Sequence, residues 1–160
     1  MTQPPVFDFS AYQSVFNSGD DDGALEFWDD ELQVTMPVGP NQIGLAAKNK
    51  EEFRAFLAHA HQGVREIMRL ESFLQVGEQI FAEINMDFFA TTDKPDFEFG
   101  PLKAGQFLTV KMFGLYTVRG GRLWQLKMAF WPPNQGVTDP PAYAVGVAPP
   151  ASDGAVRAQL

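Results

Sequence analysis

The chain has 160 residues, the length of one domain, and is 45% hydrophobic, 20% charged and 13% aromatic, the balance of a folded globular protein. Its 20 acids against 12 basic residues, a net −8, and its lack of any cysteine argue against a nucleic-acid face and exclude a disulfide scaffold, a thiol nucleophile and a Cys-ligated metal. No apolar run approaches the roughly 18 residues of a membrane span, and the start MTQPPVFDF has no basic n-region. A cytoplasmic protein with no signal peptide and no membrane partner is the expectation.

The charge is uneven. Eight acids precede the first basic residue, Lys48, and from there on 12 acids meet 12 basic residues. The run Asp20-Asp21-Asp22 lacks the spacing of a Ca²⁺ loop and reads as a solvated helix start, where acids complement the helix dipole. No metal is expected.

In chain order, residues 7 to 18 read as a helix capped by Asp8, with Phe9, Tyr12 and Phe16 on one face. A second helix is predicted from about Asp20 to Asp30, carrying Ala24, Phe27 and Trp28. Leu32 to Met36 alternates as a strand that Pro37-Val38-Gly39-Pro40 stops. Asn49 with Glu52 three positions on opens a third helix whose apolar face is Phe53, Phe56, Leu57 and Ala60. After Gly63 the period changes from 3.6 to 2. Strands are predicted at about 65–75, 78–92, 106–118 and 122–131, with tight turns at Val76-Gly77 and Arg119-Gly120-Gly121. Residues 93–105 form a longer loop over the domain. The pattern is α+β, three helices packed on one face of a curved antiparallel sheet spanning residues 1–131. Residues 132–160 hold six of the 12 prolines and read as a Pro-rich tail, with Tyr143, Val145 and Val147 as possible anchors.

The stretch Asn17-Ser18-Gly19-Asp20, then Phe27-Trp28-Asp29-Asp30 and Met36-Pro37-Val38-Gly39, resembles the ketosteroid isomerases and the SnoaL-like polyketide cyclases of the nuclear transport factor 2-like superfamily. The resemblance implies a cone-shaped cystatin-like fold with a pocket inside it. The superfamily hosts isomerases, dehydratases, cyclases, epoxide hydrolases and non-catalytic proteins, so fold does not decide function. In ketosteroid isomerase, a worked case of pKa tuning, an Asp base moves a proton while a Tyr and a protonated Asp hold the enolate oxygen. Tyr12 stands at the tyrosine's place, five residues before the Asn. The base position, directly before Pro-x-Gly, is Met36, and no carboxylate stands around Met112 to Gly114 for the second acid. Steroid isomerisation by that mechanism is therefore not expected.

Several residues compete for roles. The Tyr12 hydroxyl could donate to a ligand carbonyl, or be one more core aromatic. In Phe81–Phe89 one face carries Ile84, Met86 and Phe88 and the other Glu83, Asn85 and Asp87. Glu83 or Asp87 could replace the base, or pair with Lys111 and Lys127 in an outer ladder. His61 continues the apolar face of the third helix and could act as a pocket acid or base, whereas His59 faces out. The last strand places Trp124, Leu126, Met128 and Phe130 together, with Trp131 joining if a bulge intervenes. Candidate pocket residues are thus Phe16, Trp28, Met36, Phe56, Met86, Met112, Tyr116, Met128, Phe130 and Trp131, and candidate catalytic residues Tyr12, Asp87 and His61. The same methionines and aromatics could equally make a filled core. No phosphate cradle, Ser–His–Asp array or zinc signature is present, so no cofactor is expected. The reading is a small hydrophobic ligand bound for isomerase- or lyase-type acid–base chemistry. The alternative is a non-catalytic binding or dimerisation module, with a homodimer expected in either case.

Overall fold

The computed structural model describes residues 6–39, 42–131 and 156–159. Its elements are α1 (Phe9–Asn17), α2 (Asp21–Leu25), β1 (Trp28–Gly39), β2 (Gln42–Ala47), α3 (Lys50–Ala60), β3 (Val64–Val76), β4 (Gln79–Ala90), β5 (Phe107–Arg119), β6 (Arg122–Trp131) and β7 (Val156–Gln159). The strands lie in the order β2-β1-β6-β5-β4-β3-β7. Neighbours are antiparallel except that β1 runs parallel to β6 and β7 parallel to β3. The result is an α+β fold, a curved, unclosed sheet packed against three helices. No helix among the described residues is long and apolar enough to cross a membrane.

Local chemistry explains the helices. Each has a side chain that takes one of the orphan N–H groups of its first turn. Asp8 accepts from Ala11 N at 3.0 Å, Asp20 from Gly23 N at 2.9 Å and Asn49 from Glu52 N at 2.8 Å. Glu52 reaches back to Lys48 N at 3.0 Å, so the start of α3 is held from both sides.

The meander of β3 to β6 follows the alternation of its residues. Ile80, Ala82, Ile84, Met86 and Phe88 of β4 all turn inward and are buried. They face Leu108, Val110, Met112 and Tyr116 of β5, also buried. The 93–105 loop does lie over the domain, because Phe97 and Phe99 pack against Phe88 and against each other, and Phe99 also packs on Phe130.

Helix α1 is tied to the sheet by two side chains, Asn17 foremost. Asn17 Nδ2 donates to Met68 O at 2.9 Å while Asn17 Oδ1 accepts from Met68 N at 2.7 Å, and Gln13 Nε2 donates to the same carbonyl at 2.9 Å. On that side β3 gains a strand neighbour, β7, only from Ser72 onward. The carboxamide, one donor and one acceptor like a peptide unit, completes the ladder where strand is lacking.

Five features differ from the sequence reading. Helix α2 ends at Leu25 and Trp28 starts β1, because Phe27 O already accepts from Leu123 N at 2.9 Å in the sheet. Asp29 and Glu31 then bind Arg119 across the strands, at 2.6 and 3.0 Å. Pro37 does not stop β1. It sits at a register shift of the β1–β2 hairpin, where a missing N–H is tolerated. Strand β2 carries no apolar-in pattern, since Ile43 and Leu45 point to solvent. In β6 a bulge between the Thr117 and Val118 pairings moves Trp124 off the inner face. Its ring instead lies 4.8 Å from the Arg119 guanidinium carbon. In the tail, Val156–Gln159 pair with Ser72 to Gln75. Tyr143, Val145 and Val147 lie outside the described residues.

Gly114 sits between Met112 and Tyr116 on the inner face of β5. A Cβ there would stand 2.6 Å from a Tyr116 ring carbon and 3.3 Å from Leu126. Overpacking a closed core costs roughly 1–3 kcal/mol. Gly114→Ala is expected to lower stability by about that amount, read from a urea midpoint at unchanged slope.

Candidate functional site

Inside the cone lies a cavity of about 270 Å³, just under the roughly 300–1,000 Å³ typical of ligand sites. Every layer contributes walls. Tyr12 and Phe16 come from α1, Phe56 and Leu57 from α3, and Met36 and Pro37 from β1. The floor is sheet: Met68 of β3, Met86 and Phe88 of β4, Met112 and Tyr116 of β5, and Met128 and Phe130 of β6. Five methionines in one wall make it soft and adaptable. Lys94, Asp96, Phe97, Glu98 and Phe99 of the 93–105 loop line the remaining side.

Tyr12 is 4% exposed and ringed by Phe7, Phe9, Phe16, Phe27 and Trp28, with centroids 5.5–6.4 Å away. Burial pushes its phenol far above the ordinary tyrosine value, against a hydrogen bond from Trp28 and with the charge of Glu66 adding to the rise. The indole N–H donates to the phenol oxygen. The phenol keeps its proton at any working pH and remains a donor.

Sequence reasoning passed over a charged group whose field reaches Tyr12. Glu66, on the inward side of β3 between Val64 and Met68, lines the cavity, and its side chain is 14% exposed. His61 Nε2 lies 3.7 Å from Glu66 Oε1, while Nδ1 lies 2.9 Å from the Asp21 carboxylate. Burial would lower the His61 pKa, but Glu66 and then Asp21 outweigh it and push it up to about 9. Glu98, although exposed as a residue, turns its carboxyl to the cavity. Partial burial raises its pKa and the Glu66 charge adds to the rise. A signal for Glu66 existed, since an acid stands at an apolar beat in Val64-Arg65-Glu66-Ile67-Met68. The aperiodic loop offered none for Asp96 or Glu98.

The structure brings Tyr12, Phe16, Met36, Phe56, Met86, Met112, Tyr116, Met128 and Phe130 to this cavity. Four other candidates do not reach it. Trp28, 1% exposed, packs behind Tyr12 against Phe53 and Tyr116. Trp131 is 58% exposed and stands edge-on to Phe113 on the convex face. His61 sits one layer back, behind Glu66. His59, expected to face out, lines the edge of the cavity.

Asp87 corrects the reading most sharply. As alternation requires, it points away from Met86 and Phe88, to the other side of the sheet. It is wholly buried there, not at the surface: Arg69 donates to it twice, at 2.7 and 2.8 Å, and Thr109 once, at 2.6 Å. Held in that way, it cannot serve the cavity. Beside it Glu83 binds Lys111 at 2.9 Å and Ser72 at 2.9 Å, and Glu71 also pairs with Lys111. Lys127 takes no part in these contacts. Desolvation, with Arg69 adding, holds the Lys111 ammonium below its ordinary value.

The SnoaL-like domain family matches residues 9–126. No curated protein matches the chain. Among solved structures, a candidate polyketide cyclase from Xanthomonas campestris is 21% identical with a TM-score of 0.61, over 75% of this chain and 84% of its own. An NTF2-like protein of unknown function from Burkholderia pseudomallei is 18% identical with a TM-score of 0.60, over 77% and 87%. An LEH-like epoxide hydrolase from M. tuberculosis is 13% identical with a TM-score of 0.57, over 77% and 79%. At these identities each likeness is one of fold.

The His61 cluster makes stability depend on pH. The folded pKa, about 9, lies above the ordinary 6.5, so the folded state holds the extra proton. The stabilisation is complete below about pH 6.5 and is lost as pH rises through about 9. Relative to wild type, His61→Gln is expected to lose most stability at pH 6 (~3 kcal/mol at most, from 6.5 to about 9). The gap should close toward pH 10, as read by chemical denaturation across that range.

Proposed function

The chain belongs to the SnoaL-like domain family of the nuclear transport factor 2-like superfamily, and from that premise we propose that its cone binds a compact hydrophobic molecule bearing a carbonyl or hydroxyl group. The single observation that carries this is the Tyr12 phenol, buried in an apolar cavity, fixed from behind by Trp28 and left with its proton to give. A buried donor of this kind binds a ligand oxygen, and binds it more strongly as negative charge gathers there. The chemistry that suits it is proton transfer next to a carbonyl, of the isomerase, dehydratase or cyclase kind. Methionine and phenylalanine walls favour fused rings or a polyketide-like chain. A cytoplasmic setting belongs to the same proposal.

Polycyclic phenols and steroid-like enones titrated into wild type and Tyr12→Phe test it. One hydrogen bond to a buried oxygen is worth roughly 1–1.5 kcal/mol, so Tyr12→Phe is expected to bind about tenfold more weakly. Equal affinity for both proteins removes Tyr12 from the site.

A second reading is self-association through the convex face, favoured by the exposure of Phe81 (39%), Leu115 (43%) and Trp131 (58%) on neighbouring strands. Scattered exposed side chains are ordinary, but three on adjoining strands make a patch. Light scattering is expected to give a dimer that Leu115→Asp converts to monomer, and a monomer in dilute wild type refutes it.

A further inference from the structure

We propose that Glu66 is the general base of the cone and that Asp21 and His61 are the pair that positions it. This rests on the ligand-binding reading above and names the proton acceptor that reading leaves open. Three observations converge. Met36 stands where the family resemblance places a base, and a thioether takes no proton. Asp87 faces the other side of the sheet, bound by Arg69 and Thr109. Glu66 alone brings a carboxylate from the sheet into the cavity, close enough to Tyr12 for its charge to act on the phenol.

The surrounding geometry suits an acceptor. Asp21 of α2 holds His61 Nδ1, so the ring is fixed and its other nitrogen faces Glu66 Oε1. His61 Nε2 is buried without a hydrogen-bond partner among the described residues, and 3.7 Å is too long for one to Glu66. The pair thus orients the carboxylate without saturating it, leaving lone pairs for a substrate proton. The other charged or titratable groups facing this region are Tyr12 from α1, His59 from α3, and Lys94, Asp96 and Glu98 from the loop.

The step balances simply. A Glu66 oxygen takes a proton from the carbon next to the ligand carbonyl. The C–H electron pair forms the carbon–carbon double bond of an enolate, and the carbonyl oxygen takes the charge under the Tyr12 hydroxyl. The Glu66 proton then returns to another carbon in isomerisation, or leaves with a hydroxyl as water in dehydration.

A nitrobenzisoxazole is the probe, because its ring opening needs only a base. The base removes the ring C–H, the electron pair makes a nitrile, and the N–O bond breaks to release a coloured phenolate. Wild type is expected to show saturable turnover faster than free acetate. Positioned bases contribute roughly 10²–10⁴-fold, so Glu66→Gln should lose about 100-fold or more in kcat with KM little changed. Glu66→Asp, still a carboxylate, should recover part of that loss, with thermal melting confirming that both variants fold. In His61→Gln the loss should fall on kcat, with KM little changed, at pH values where melting shows the variant folded. A structural role alone would not split kcat from KM in that way. Wild-type kcat in Glu66→Gln, or wild type that binds the probe but turns it over no faster than acetate, overturns the proposal while leaving the cavity reading intact. Wild-type kcat in His61→Gln removes the positioning pair. A probe that does not enter wild type at all counts against the cavity itself and takes the base with it.

Discussion

The site depends on the two hydrogen bonds between Asn17 and the backbone of Met68. The aromatic face of α1 is greasy and non-directional, so Phe9, Tyr12 and Phe16 would pack about as well with the helix turned by a few tens of degrees. Asn17 removes that freedom, because its carboxamide must meet an N–H and a C=O at 2.7 and 2.9 Å together. With rotation fixed, Tyr12 points into the cone and stands over the Glu66 side of β3. Asp20, three residues on, caps α2, which carries Asp21 to His61. Gly19, at a φ of +79°, makes the turn that joins them. The Asn-x-Gly-Asp motif is thus a folding device whose product is the geometry of the site.

Two kinds of polar burial lie on opposite faces of the same sheet, and they behave differently. On the convex side Arg69, Asp87, Thr109, Lys111 and Glu83 satisfy one another with short, charge-assisted bonds. Removing either partner of such a pair leaves the other charge uncompensated. On the concave side the contacts are longer and fewer. Glu66 has one cation at 3.7 Å, and Tyr12 accepts a bond but keeps its own proton. Functional polar groups are expected to be the under-satisfied ones, where a ligand completes what the fold leaves open.

Much of the architecture was legible because the sequence states it locally. The four strands of the meander alternate over most of their length, and each helix begins on a capping side chain. What escaped was set by distant partners. The Asp20 to Asp30 stretch reads as helix throughout, yet β6 captures Phe27 and Arg119 captures Asp29 and Glu31, so the chain leaves the helix after five residues. Strand β2 is an edge whose apolar residues face out, the reverse of the usual code. A one-residue bulge beside Val118 was enough to turn Trp124 away. For the site, alternation put Met86, Met112 and Met128 on the correct face. It also carried Asp87 to the wrong side for catalysis. That Asp87 would be buried there depended on Arg69, 18 residues away, which no local pattern reports.

Why the interior keeps a hollow follows from the same residues. Gly114 lets the Tyr116 ring lie flat across the backbone of β5, at a separation any Cβ would violate. The tyrosine therefore fills the narrow end of the cone and not its middle. Tyr12, Trp28 and Phe53 close over that end in edge-to-face contact. The rest of the cavity is lined by methionines and by Phe97 and Phe99 of the loop, which pack against each other and on Phe88. The rigid aromatics thus surround the Tyr12 phenol, and the adaptable thioethers line the rest of the cavity. Glu66 lies along the boundary between the two. Under the proposed chemistry, a carboxylate there has fixed geometry on one side and a deformable wall on the other, which suits bringing a reacting carbon to the base.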